Sequence, residues 1–227
     1  MNAHHIRCIE DPPIVKLRNA ALLSLTLLGA CRSTGQLTSE NGGGVYAVRS
    51  ACPIAGIPAG TGEITLFDPA GSTDSRAIDI TASITDLRTV CQEGGNDVVS
   101  TVTFTVVGLR RAPGPARQLV LPYFDVALQG GQNIAAKTIG SAVLNFGAGK
   151  IHAWTRVQAT IRVNRATATL PASVRQTLTR PRKAGQADAA IDPLSDPSIR
   201  TAVANATFEH LVGFQLTQDQ LRFNATR

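Results

Sequence analysis

The sequence predicts a mainly β protein: an antiparallel β-sandwich of immunoglobulin-like or fibronectin-like topology, with a helical C-terminal tail. Two observations predict this class. Segments rich in Val, Ile and Thr alternate apolar and polar residues, and clusters of Gly and Pro separate these segments. About seven short strands of this kind are typical of a sandwich. With 227 residues, of which 43% are hydrophobic and 17% charged, the chain is long and apolar enough to form one core.

The first strands are predicted to form a hairpin. A short strand over residues 64–66 precedes residues 78–91, in which Ile and Ala alternate with Asp, Thr and Ser. Residues 98–109 alternate in the same way, with Val and Phe on one side and Thr on the other. The turn cluster at residues 93–97 lies between the two long segments, so we expect them to pair.

Three further strands are predicted at residues 119–128, 138–146 and 153–164. Pro122 lies inside the first of them and removes a backbone N–H donor, so we expect an edge strand or a bulge at that place. Together the strands assign residues 45–183 to the sandwich domain.

Residues 184–227 are predicted to form a linker and C-terminal helices. Asp196 and Pro197 are typical of a helix start, and the apolar residues that follow predict a helix to about Gly213. Thr217 and Gln220 have the spacing of a capping box, which predicts a short final helix.

The first 30 residues have the pattern of a secretory signal. A basic stretch that begins at Lys16 precedes the apolar residues 20–28, which are too few to span a bilayer. The signal ends in Leu28, Gly29, Ala30 and Cys31, which resembles the lipobox of bacterial lipoprotein precursors. Residues 1–14 include acidic side chains that are unusual in a signal, which indicates an over-extended start of the reading frame.

The resemblance implies that Cys31 is joined to diacylglycerol and becomes the first residue of the mature chain. Two or three acyl chains hold a protein stably on a membrane, since each buried CH₂ adds about 0.8 kcal/mol. Residues 32–44, rich in Gly, Ser and Thr, are then expected to be a flexible tether. Arg32 is not the Asp that retains enteric lipoproteins in the inner membrane, which favours the outer membrane, facing the periplasm.

Two cysteines of the mature chain remain, Cys52 and Cys91. In an exported protein such a pair predicts a disulfide. The alternative is a free reactive thiol, but neither cysteine has a His or Lys close in sequence to activate it. The sequence has no CxxC motif, so neither a redox site nor a zinc knuckle is indicated.

No motif indicates catalysis, a metal or a cofactor, so we expect the protein not to be an enzyme. A Ser-His-Asp set could be assembled from a chain of this size, and an unrecognised hydrolase site therefore remains an alternative. His210 lies on the predicted helix and is expected to be a partly buried helix residue. His152 beside Trp154 could form a sugar-stacking shelf, but packing at the start of a strand is the favoured interpretation.

Charge is distributed unevenly. Residues 126–187 contain no Asp or Glu but nine Lys and Arg, within a chain of formal net charge +6. We predict that a basic region here binds an anionic ligand, against the alternative of a solvated face without a ligand. The residues chosen for binding are Arg162, Arg165, Arg180, Arg182 and Lys183.

These features favour a non-enzymatic, lipid-anchored protein of the cell envelope that binds an envelope protein or an anionic polymer. An envelope hydrolase and an accessory protein of secretion or assembly remain as alternatives. An exposed strand edge or apolar patch would indicate the accessory protein. Nucleic acid is not expected as a partner, because the protein is exported and no aromatic residues are interleaved with its basic ones.

The substitution Cys31→Ser is expected to prevent lipidation and cleavage after Ala30 and to release the protein from the membrane fraction. Cell fractionation and intact-mass measurement check this. Ser33→Ala, two residues after Cys31, is the control and should change neither. Membrane retention of the Cys31→Ser protein, shortened at the same peptide bond, would contradict the assignment.

Overall fold

The computed structural model describes residues 50–180 and 191–226. In this part of the chain, eight strands form two sheets that pack face to face, which confirms the predicted sandwich. The strands are β1 (Ile54–Gly56), β2 (Glu63–Phe67), β3 (Ile78–Gly94), β4 (Asp97–Arg110), β5 (Arg117–Gln129), β6 (Asn133–Phe146), β7 (His152–Asn164) and β8 (Phe208–Phe214). The helices are α1 (Ala172–Thr179), α2 (Pro197–Asn205) and α3 (Gln218–Ala225), with short 3-10 turns at Ser75–Ala77 and Pro193–Ser195.

The sheets have the strand orders β1-β8-β5-β6 (sheet I) and β2-β3-β4-β7 (sheet II). All pairs are antiparallel except β1 with β8. In immunoglobulin constant domains, strands A, B, E and D form one sheet and C, F and G the other. Here the consecutive strands β2, β3 and β4 are neighbours in one sheet, so the connectivity differs from the expected immunoglobulin-like one.

The hairpin of β3 and β4 is confirmed and is longer than predicted. Pairing continues to Gly94 and Asp97, and Gly95 supplies the positive φ of 62° that the two-residue turn requires. One extra residue in β3 forms a bulge before Arg88. Asp86 lies in this bulge with φ 52°, and its carboxylate is 2.8 Å from the Arg88 guanidinium.

A row of small residues allows the two sheets to approach each other. Ala82, Gly108 and Ala153 are register partners on β3, β4 and β7, and all three are buried. Leu144 and Phe146 of the opposite sheet fill the space above this row and are themselves fully buried. A Cβ atom at Gly108 would lie 2.6 Å from Leu144 Cδ1 and 3.1 Å from Phe146 Cζ.

The predicted disulfide is present and links the two sheets. Cys52, just before β1, is bonded to Cys91 of β3, with 5.9 Å between the Cα atoms and a sequence separation of 39. Closing a loop of that length stabilises a fold by about 4 kcal/mol in the chain-entropy model. Both cysteines pack against a second small core at this end of the sandwich, which contains Val98, Ala127, Ile161, Val163, Ala168 and Phe208.

The C-terminal tail is less helical than predicted. Helix α2 begins at Asp196 and Pro197 as expected, but it ends at Asn205 instead of continuing to about Gly213. Phe208–Phe214 is a strand that lies between β1 and β5 in sheet I. The helical prediction was wrong because pairing with two neighbouring strands buries Phe, His and Val at alternate positions of β8.

Pro122 was predicted to lie in an edge strand or at a bulge. The edge-strand prediction is wrong, because β5 pairs with both β6 and β8 and is an inner strand of sheet I. The last pair of β5 with β8 is Tyr123 with Phe214, so Pro122 lies one residue beyond the end of that ladder. The N–H that proline lacks is therefore not needed there. The irregularity of β5 occurs instead between Ala127 and Leu128.

Helix α3 covers the edge of sheet II. Its predicted capping box at Thr217 and Gln220 is confirmed. The ring of Phe223 meets Phe67 of β2 edge-on, with 5.1 Å between centroids, and the Asn224 amide donates to the Glu63 carbonyl at 2.8 Å. None of the helices in the described ranges is long and apolar enough to cross a membrane.

The substitution Gly108→Ala is expected to destabilise the fold by about 1–3 kcal/mol, because its methyl group overlaps the buried Leu144 side chain. Urea unfolding measures the loss. Gly94→Ala is the matched control, since no atom lies within 4 Å of its Cβ position and no positive φ is involved. Equal stability of the two variants would show that the row of small residues is not needed.

Candidate functional site

A buried polar group lies between the two sheets. His210 of β8 has its Nδ1 atom 2.9 Å from the Ser100 hydroxyl of β4 and its Nε2 atom 2.8 Å from Asp125 Oδ1 of β5. All three residues are buried, and His210 is fully so. The expectation that His210 is a partly buried helix residue was therefore wrong, because it lies on a central strand.

The residue types of this group are those of a hydrolytic triad, but its surroundings are those of a core. A carboxylate without its proton only accepts hydrogen bonds, so in that form Asp125 accepts from Nε2–H of His210, and Nδ1 in that tautomer can accept from the Ser100 hydroxyl. A nucleophilic serine needs a substrate carbonyl beside its oxygen. Ser100 has no exposed surface, and none of the three residues lines a described cavity. The hydrogen bonds of the group therefore join His210 and Asp125 of sheet I to Ser100 of sheet II.

Burial and the neighbouring Asp125 carboxylate raise the pKa of Tyr123, burial being the larger cause. The phenol therefore stays protonated at neutral pH. Its ring packs edge-on against Phe104, with 5.4 Å between centroids. This side of the buried group is thus apolar and contributes no further charge.

The outer side of sheet II presents a different surface, which we call the β4–β7 face. It comprises the outward positions of the two strands: Asp97, Val99, Thr101, Thr103, Thr105, Val107 and Leu109 on β4, and His152, Trp154, Arg156, Gln158, Thr160, Arg162 and Asn164 on β7. These positions form seven cross-strand pairs over about 40 Å of strand. The face is open to solvent and rich in hydroxyl groups.

Trp154 is the most prominent residue of this face. Its side chain is 70% exposed and lies directly opposite Val107, which is 38% exposed. The next pair, His152 with Leu109, is also exposed, and Leu109 remains 43% accessible. The interpretation that His152 and Trp154 pack at the start of a strand is therefore wrong, and an exposed aromatic shelf is present.

The fourteen positions of the β4–β7 face include a single carboxylate, Asp97, in the pair nearest the turn. Arg156 and Arg162 both point outward, and neither forms an ion pair with any other residue in the described ranges. The nearest outward acid on the Trp154 row is Glu63, three strands away on β2 and so at about 14 Å. Asp97 forms the outward pair with Asn164 at the turn, directly after the pair of Val99 with Arg162, so one carboxylate lies at the Arg162 end of the face. The face therefore carries two arginines against one carboxylate.

Three of the five predicted anion-binding residues lie in the described ranges, and the structure places these three on different elements. Arg162 lies on the β4–β7 face, whereas Arg165 belongs to the turn after β7 and Arg180 caps the end of α1. Arg182 and Lys183 lie outside the described residues, as do Cys31 and the predicted signal and tether.

A cavity of about 520 Å³ lies where the helices meet the end of the sandwich. Its apolar lining includes Cys52, Leu178, Leu194, Val203 and Phe208. Arg165 and Arg175 contribute two positive charges to the lining, and Glu93 and Asp192 contribute two negative ones. Because these charges balance among the described lining residues, the described part of the cavity gives no preference for an anion, and we consider the β4–β7 face the stronger candidate site.

Part of this face could have been found from the sequence. The alternation that directs Gln158, Thr160 and Arg162 outward also directs Trp154 outward when it is continued towards the start of β7. In β4, Val106 and Val107 are both apolar, so one of them must face solvent. The interpretation of Trp154 as a packing residue did not extend this alternation to the start of β7.

Comparison of the chain with protein-family models, with curated proteins and with solved structures finds no match. The described ranges also contain no group of three or more His, Cys, Asp and Glu residues that could hold a metal ion. The site is therefore interpreted from its own geometry and charge.

The substitution Asp125→Ala is expected to lower the free energy of unfolding by about 1–3 kcal/mol, because the buried Nε2–H of His210 loses its acceptor. Asp125→Asn keeps an oxygen acceptor at that place and should cost less. Urea unfolding of both variants at pH 7 measures the difference. A wild-type midpoint for Asp125→Ala would show that this hydrogen bond does not stabilise the fold.

Proposed function

We propose that the protein is a non-enzymatic lipoprotein of the bacterial envelope, anchored through Cys31 in the outer membrane and facing the periplasm, and that its β4–β7 face binds an anionic polymer. The lipobox resemblance supports the anchor, and the Gly/Ser/Thr-rich segment at residues 32–44 supports a tether. The observation that carries the binding function is an exposed face with two arginines that form no ion pair in the described ranges and a single carboxylate, Asp97, at its turn end.

The spacing of the arginines favours a polymer over a small anion. Arg156 and Arg162 are six residues apart on the same strand and point to the same side, so their Cα atoms are separated by about 20 Å. A single small anion cannot contact both. A chain with repeated negative charges that lies along β7 can neutralise both arginines at once, and each contact adds up to about 1 kcal/mol near an anionic surface.

The hydrolase alternative receives limited support. Ser100, His210 and Asp125 are within hydrogen-bond distance, but catalysis would require the sheets to part before a substrate could reach the serine. Their burial between strands favours a structural role.

A protein partner is the second candidate, favoured by the outer side of sheet I. Val120 and Ile139 are 52% and 51% exposed there, and β6 is the edge strand of the sheet. Lys137 projects from the middle of β6, and a lysine at that position opposes the addition of another strand. We therefore rank this candidate below the polymer.

The double substitution Arg156→Glu with Arg162→Glu is expected to reduce retention on murein sacculi at low salt by at least about tenfold, because it replaces attraction with repulsion. Raising the salt concentration should weaken wild-type retention in the same assay, since these charges are exposed.

Arg76→Glu with Arg200→Glu is the control, because it makes the same change in net charge at exposed residues outside the face. It should leave most of the retention intact. Equal losses in the two double variants would indicate a dependence on net charge alone. Unchanged retention of the first variant would exclude the face and favour the protein partner.

A further inference from the structure

We infer that the polymer on the β4–β7 face is a polysaccharide and that one of its sugar rings stacks on the indole of Trp154, an inference that rests on the proposed function. The C–H face of a sugar ring is apolar and packs on an aromatic ring, while the hydroxyls at its rim need hydrogen-bond partners. Trp154 offers such a ring at 70% exposure on this face.

The surroundings of Trp154 match both requirements. Val107 lies directly opposite and Leu109 on the neighbouring pair, so the indole continues into a small apolar area. Polar groups border that area: Ser83 is the register partner of Val107 on β3, and His152 precedes Trp154 on the same side of β7. These groups can bond the rim hydroxyls of a stacked ring.

The positive charge of an arginine beside Trp154 favours a sugar that carries a negative charge. Arg156 is the next outward residue after Trp154, about 7 Å along the strand, and it forms no ion pair with the described part of the chain. A carboxylate on a stacked ring, or on the ring beside it, can therefore be bound by the guanidinium. Arg162 lies further along the same strand, where it can contact a later unit of the same chain.

A membrane surface would also attract tryptophan and arginine, but the rest of the face does not suit it. Exposed apolar residues of the β4–β7 face lie at the end that holds Trp154, Val107 and Leu109, and Val90 of β3, beside Thr101, is a separate exposed apolar residue on the same side of sheet II. Threonines occupy the middle, and the Thr101 and Thr160 hydroxyls are 3.1 Å apart. Insertion of this strip into lipid would remove those hydroxyls from water without new partners, which is costly.

Trp154 is the only tryptophan in the chain, so its fluorescence reports on this site directly. The detergent-extracted full chain would be titrated with carboxymethylcellulose, with neutral hydroxyethylcellulose and with poly-L-glutamate. We expect carboxymethylcellulose to shift the emission to shorter wavelength and to protect the indole from acrylamide. Poly-L-glutamate is expected to be retained through the arginines without protecting the indole.

Trp154→Ala should weaken carboxymethylcellulose retention by about tenfold and leave poly-L-glutamate retention within about twofold, whereas Trp154→Phe should keep part of the affinity. An unprotected indole at saturating carboxymethylcellulose would overturn the inference, as would equal losses for the two polyanions in Trp154→Ala. Protection by anionic vesicles but not by carboxymethylcellulose would overturn it in favour of a membrane.

The proposed function can fail separately from this inference. Protection by hydroxyethylcellulose, with neither polyanion retained, would overturn the charged-polymer function and support stacking. Retention of both polyanions without protection of the indole would keep that function and overturn the stacking. If none of the three polymers binds, both are overturned.

Discussion

The burial of one side of each sheet against the other is the interaction on which the remaining structure depends. Because strand side chains alternate between two sides, burying Phe104 and Val106 of β4 places Thr105 and Val107 on the outside. Strands β4 and β7 pair along 13 residues, so the same rule produces a long outer face. The disulfide and the Ser100–His210–Asp125 group then connect the two sheets side by side at one end of the sandwich, where Cys91 is the register partner of Ser100.

The long strands could be predicted from the sequence, because their periodicity is local. Residues 78–91, 98–109 and 153–164 fall within β3, β4 and β7, and the turn with Gly95 was recognised from its composition. Strand β8 was missed because Leu211 and Val212 also fit the pattern of a helix that begins at Asp196. Only pairing with β5 and β1, which are distant in sequence, decides between the two structures.

The candidate site was predictable in part for the same reason. Arg162 and Trp154 follow the alternation of one strand, so their common side could be inferred. Ser100 and Asp125 lie 110 and 85 residues from His210, and no local pattern indicates that the fold brings them together. Burying Ser100, His210 and Asp125 costs free energy of desolvation, and their hydrogen bonds form only when the two sheets are placed as they are here. The group therefore favours this placement of the sheets over others.

Helix α3 limits how much of sheet II is open. It lies on β2 through the Phe67–Phe223 contact and the hydrogen bond from Asn224, so β3, β4 and β7 form the uncovered width. Three strands measure about 10 Å from the first axis to the last. In the proposed binding mode this width suits one extended chain, which α3 borders on the β2 side, while the edge strand β7 leaves the opposite side open.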